Sequence, residues 1–216
     1  MRKLVFLNLL YMLELKNVAV SHNGKQLFEG LSFVARNDEV TAISGPSGCG
    51  KTTLLKVLLG LHPADEGYVS IDGELITALS APTFRQMFAY MPQDISFAVD
   101  TVKELVELPF TLKTNCGQNF SKEKVMEQWR MLALDPSLYD KRTCEISGGE
   151  RQRIMIANLG LLNKRIVLAD EPTSALDQLS ATLVGDYLKR LASQGAVVIV
   201  VSHRAITCDN IITLNN

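Results

Sequence analysis

Gly45-Pro46-Ser47-Gly48-Cys49-Gly50-Lys51-Thr52 fits the pattern G-x-x-x-x-G-K-[ST], with an apolar run before it and a helical pattern after it. Glycines let such a loop curl so that backbone N–H groups point inward at negative oxygens. The following helix turns its positive end to the same anion. These residue types predict a polyphosphate cradle running from Gly45 through Thr53. Within it, Lys51 would bridge the β- and γ-phosphates of a nucleotide as a point charge, and Thr52 would give its hydroxyl to magnesium. A magnesium site also needs a carboxylate, and Ile166-Val167-Leu168-Ala169-Asp170-Glu171 supplies one at the end of a second apolar run. Asp170 is placed to hold magnesium through water, since that ion keeps several waters. Glu171, one step past the strand end, is placed to polarise an attacking water as general base.

Positioning these groups requires buried strands followed by helices. Val40–Ser44, Met87–Met91, Ile166–Ala169 and Ala196–Val201 read as buried parallel strands, and Lys51–Leu61, Lys122–Leu134, Glu150–Leu162 and Ser180–Ala192 as helices. Strand and helix alternating at these lengths make an α/β sheet with helices on its faces. Residues 14–40 and 67–76 read instead as short antiparallel strands, with Asn23-Gly24 and Asp72-Gly73 as turns. The stretch from about 94 to 148, which holds the only tryptophan, Trp129, reads as a helical insertion.

A phosphate loop alone does not choose among kinases, GTPases, helicases and ATPases. Ile146-Ser147-Gly148-Gly149-Glu150-Arg151-Gln152 does choose, because here the chain resembles the ATP-binding-cassette (ABC) family, whose signature is Leu-Ser-Gly-Gly-Gln/Glu. Gln93 in Tyr90-Met91-Pro92-Gln93 looks like the family's Q-loop glutamine, Ser174-Ala175-Leu176-Asp177 like its D-loop, and His203 like its switch histidine. The resemblance covers the chain from about Leu13 onward. It implies a P-loop NTPase fold, with a RecA-like parallel core, an N-terminal antiparallel subdomain and a helical insertion carrying the signature. It further implies that two cassettes pack head to tail, Ser147, Gly148 and Gly149 of each covering the γ-phosphate held by the other. Catalysis would then fall to Glu171, His203, Gln93 and Lys51, with Thr52, Gln93 and Asp170 around magnesium and Asp177 communicating across the dimer. A helix-capping carboxylate is the plainer reading of Asp177.

The chain departs from the family pattern at three positions. His22 stands where an aromatic usually stacks on adenine, so the base contact would be weaker or partly supplied by Phe28. Ile146 replaces leucine, a volume-conserving swap, and Arg204 replaces an aspartate after the switch histidine. No catalytic group is lost.

With 216 residues, 47% hydrophobic and 21% charged, one cassette fills residues 12–216. No run is apolar enough to cross a membrane, so the resemblance implies an ATPase on the cytoplasmic face of the membrane, driving a separate integral-membrane permease. A net charge of −1 gives no footprint for nucleic acid. Asp100 to Phe110 is similar to a small bacterial subfamily of iron exporters; an iron–sulfur assembly ATPase is the alternative. The basic, apolar start from Met1 reads as an upstream extension over residues 1–11 with Met12 as the natural start, ahead of an apolar tail or an export signal. Four scattered cysteines make no disulfide framework. Of these, Cys49 is open to two readings: a reactive thiolate in the loop's positive field, or a small residue filling a slot.

Overall fold

The computed structural model describes residues 12–94, 98–115, 117–203 and 206–214. The expectation for residues 1–11 and the departure at Arg204 lie outside them. Two sheets form. The first is antiparallel, in the order β2 (Lys25–Arg36), β1 (Met12–His22), β4 (Glu66–Ile71) and β5 (Glu74–Leu75). Its two tight turns fall where expected: Asn23 and Gly24, and again Asp72 and Gly73, all have positive φ. That is the combination a hairpin with native twist requires.

The second sheet is parallel, in the order β6 (Phe88–Met91), β7 (Ile166–Asp170), β8 (Val197–Val201), β3 (Val40–Ser44) and β9 (Asn210–Thr213). Its strands β6, β7 and β8 are nearly continuous apolar runs because both faces are covered there. Ile166 and Leu168 point into one core, with α1 (Lys51–Leu58) and the antiparallel sheet. Val167 and Ala169 point into the other, with α3 (Val102–Thr111), α4 (Lys122–Met131), α5 (Gly148–Leu161) and α6 (Gln178–Ser193). A short α2 (Ala81–Phe84) precedes β6.

Some elements differ from expectation. The first helix stops at Leu58 rather than Leu61, and α5 starts two residues early, at Gly148. Met87 and Ala196 lie outside their strands. Between residues 94 and 148, α3 joins the expected α4. Trp129 is fully buried there, with its ring centre 6.2 Å from that of Tyr139. Among the described residues, no helix is long and apolar enough to cross a membrane.

Strand register positions the chemistry. Asp170 pairs with Val201, and Ile43 pairs with the same Val201. The chain therefore leaves β3, β7 and β8 at one edge of the sheet, the carboxyl end where open α/β sheets bind ligands.

Candidate active site

At that edge lies a cavity of about 650 Å³, lined by Ser47, Gly48, Gly50, Lys51, Thr52 and Thr53 on one side. Gln93, Asp170, Glu171 and His203 face it, and His22 and Leu27 complete the wall. Gly50 ends the loop at φ 97°, a left-handed conformation that a side chain would strain. Gly45 is tight for a different reason. A Cβ there would lie 2.7 Å from the Leu214 carbonyl and 2.8 Å from Cys49 Sγ.

The first turn of α1 holds no acidic residue and no side chain caps it, so its leading N–H groups are left for an anion. The Lys51 ammonium donates to the Gly45 and Pro46 carbonyls at 2.9 and 2.8 Å, which leaves its third proton for a phosphate. The Cys49 side chain is fully buried in the core beside α1, the placement that the slot-filling reading expects.

Thr52 donates its hydroxyl to Asp170 Oδ2 at 2.7 Å. Asp170 is 1% exposed, and its Oδ1 is buried with no hydrogen-bond partner. Burial pushes this carboxyl above the ordinary range, against the Thr52 hydrogen bond. A hydroxyl and an orphaned carboxylate oxygen side by side are hard oxygen donors, the set that suits magnesium. Glu171 stands next in the chain at φ 52°, a conformation costing roughly 1–2 kcal/mol in a non-glycine residue. Its N–H is held by the Val201 carbonyl at 2.9 Å, and its Oε2 lies 2.7 Å from Nδ1 of the more exposed His203.

The expected base contact is corrected. Phe28 is buried in the core, and Leu27 lines the cavity with His22 instead. The ring of His22 also stands 6.4 Å from that of His62.

Ser147, Gly148, Gly149 and Asp177 do not line this cavity. Ser147 caps α5 in a closed box with Glu150. Its N–H and hydroxyl donate to Glu150 Oε2 at 2.8 and 2.7 Å, and the Glu150 N–H donates back at 3.2 Å. The same backbone contact holds the Glu150 carboxyl below its ordinary range. Asp177 is the N-cap of α6, accepting from the Ser180 N–H at 2.7 Å. Gln152, which the sequence did not single out, is 4% exposed and bonds to the loop after β7.

The family model for ABC transporters matches residues 28–174. A putative ABC transporter ATP-binding protein of Treponema denticola is 31% identical over 220 residues, covering 95% of this chain and 44% of its own length. The probable iron export ATP-binding protein FetA of Escherichia coli is 32% identical over 194 residues, covering 89% of this chain and 84% of its own. Thus the chain spans less than half of the first relative and most of the second. The dimeric bacterial ABC transporter cassette MJ0796 superposes with a TM-score of 0.78 at 29% identity, covering 94% of both chains. Phosphate loop, strand-end carboxylates and Ser-Gly-Gly helix start thus recur in a chain that belongs to the ATP-binding-cassette family of transporter ATP-binding proteins.

Proposed function

We propose that this chain hydrolyses Mg-ATP as a head-to-tail pair of cassettes and thereby drives a separate membrane permease from the cytoplasmic face. One observation carries the reading: Thr52, Asp170, Glu171 and His203 converge on one cavity, while Ser147 to Gly149 lie outside it. A phosphate bound on α1 therefore has its signature contacts still to be supplied, and a second copy is the natural source. MJ0796, solved as a dimer and in a post-hydrolysis state with ADP and Pi, supports that arrangement.

In this reading the triphosphate lies on the α1 N-terminus, and Lys51 turns from the loop carbonyls to the β- and γ-phosphates. His22 and Leu27 flank the base. Thr52 and Asp170, with Gln93, would hold magnesium, which when bound neutralises charge on the outer phosphates. Glu171 takes a proton from the attacking water, with His203 Nδ1 fixing the carboxylate's direction. Asp177, anchored as a helix cap, holds the segment that faces the second copy.

For cargo we take iron export, supported by the FetA relative that this chain nearly matches in length. Other relatives are named for import of Fe(3+) or of spermidine and putrescine, so the permease decides. Loss of the gene should raise cell iron after an iron load, and unchanged iron would exclude this cargo. The enzymatic reading is tested by the dependence of rate on protein concentration. A dimeric active form gives a Mg-ATPase rate rising faster than the first power, whereas strict proportionality from nanomolar to micromolar protein would contradict the pair.

A further inference from the structure

We infer that Gln152 is the positioning residue for Glu171, and that it couples the signature helix of a chain to that chain's own hydrolytic carboxylate. The coupling half rests on the head-to-tail reading above; the positioning half does not.

The Gln152 side chain leaves α5 one turn and a half past Ser147 and enters the loop that follows β7. Its Nε2 donates to the Glu171 carbonyl at 2.8 Å and to Ser174 Oγ at 3.2 Å. Its Oε1 accepts the Ala175 N–H at 3.0 Å. Three of the amide's four hydrogen-bonding positions are used, and the partners fix its orientation, because a flipped amide would set oxygen against the Glu171 carbonyl. At 4% exposure, water has little access to replace these bonds.

What the amide holds is a backbone that has reason to relax. Glu171 stands at φ 52°, and its N–H is already fixed to β8 through Val201. Its carbonyl is the other end of that residue, and Gln152 fixes it. With both ends of the residue pinned, the carboxylate is aimed into the cavity beside His203. A small tilt of the carbonyl would swing the carboxylate away, and misplacement by about an ångström can cost on the order of 10²-fold in rate.

The same side chain closes a short path. Gly149 of the signature lies against the loop, and a Cβ there would meet the Ala175 carbonyl at 3.3 Å. The segment Glu171–Ala175 is thus clamped to α5 by packing at Gly149 and by hydrogen bonds at Gln152. A phosphate of the partner copy drawing on Ser147 would shift α5, and with it this chain's Glu171. In a pair of cassettes, occupancy of one nucleotide site would thereby set the base of the other.

Two variants of the full chain test this. Gln152→Met keeps the length and removes every hydrogen bond, and Gln152→Glu keeps the shape and the acceptor for Ala175 while removing the donor. Steady-state Mg-ATPase should show kcat lower by about 10- to 100-fold with KM within twofold. Light scattering with Mg-ATP should show the mass doubled, because bound ATP persists when hydrolysis is slow. If melting shows that the Met variant has not folded, the isosteric Glu variant decides alone. A folded variant with kcat within twofold of the parent, or a loss carried by KM, overturns the positioning role. If kcat falls while the mass stays single and Glu171→Gln alongside does double, Gln152 supports the interface instead, and the inference is wrong. Should Glu171→Gln also stay single, the head-to-tail reading and the coupling half fall together, and the split between kcat and KM judges the positioning half.

Discussion

At the start of α1, Gly50 offers no capping side chain and the first turn holds no carboxylate; at the start of α5, Ser147 and Glu150 close a capping box. Glycines mark both helix starts, Gly50 just before α1 and Gly148 and Gly149 in the first turn of α5, and both ends present the partial positive charge that attracts anions. The first is left open and the second is satisfied from within the chain. An open N-terminus forgoes the roughly 1 kcal/mol a cap contributes, which makes sense where a triphosphate will replace it. A capped one folds well alone but must share its donors with Glu150 when a phosphate arrives. In the reading proposed above, one chain thus holds a ready nucleotide site and a conditional one.

Removing the ammonium from the ready side should have the largest effect on nucleotide binding. Lys51→Ala is expected to weaken ATP binding by about 10- to 100-fold, the worth of a charge-assisted hydrogen bond to phosphate. Titration of a fluorescent ATP analogue reads this directly. Affinity unchanged within threefold would mean that the open helix end alone holds the triphosphate.

On the conditional side the change should be smaller and opposite in sign. Glu150→Gln preserves the capping box but withdraws a negative charge from the place a partner's γ-phosphate would approach. ATP-dependent dimer formation, followed by light scattering, should need severalfold less ATP. The melting temperature should fall by about 1–3 °C, since one carboxylate near a helix start contributes some 0.3–1 kcal/mol. Weaker dimerisation would show that the carboxylate helps rather than competes.

The smallest effect concerns stability of the ready site without nucleotide. Burial raises the Asp170 carboxyl, so the folded chain holds that proton more tightly than the unfolded one. Between the ordinary carboxylate range and the raised value the folded state binds more protons, and stability falls as pH rises. Asp170→Asn should therefore melt higher than the parent at neutral pH, while its ATPase is lost. The difference should shrink as pH drops below about 4, where the unfolded carboxyl is protonated too. Melting curves across pH without magnesium give the answer.

The ready side was more legible in the sequence than the conditional one. Its loop residues and its two carboxylates lie in two contiguous stretches, each at the end of an apolar strand, so the local pattern carries most of the chemistry, with Gln93 and His203 added from elsewhere in the chain. Phe28 against Leu27 shows where strand alternation misleads: the β1–β2 ladder has register shifts, which reverse the inward parity between Phe28 and Phe33. The helix α3 did carry a signal, Thr101-Val102-Lys103-Glu104, a capping box realised in the structure. Pro109 near its end and flanking turns obscured it. The edge strand β9 has only Ile211 and Ile212 as apolar residues, too short a run to stand out. Gln152 had no local signal at all. On a helix a glutamine reads as surface, and only the packing of α5 against the β7 end buries it.

The central claim, that this cavity cleaves ATP through Glu171 and that bound ATP joins two copies, is tested most directly by Glu171→Gln with saturating Mg-ATP. Turnover should drop by about 10²- to 10⁴-fold, the usual worth of a general base, while ATP stays bound and light scattering reports twice the mass of the chain. Substantial hydrolysis by the pure variant, or a single-chain mass with ATP bound and turnover lost, would contradict it.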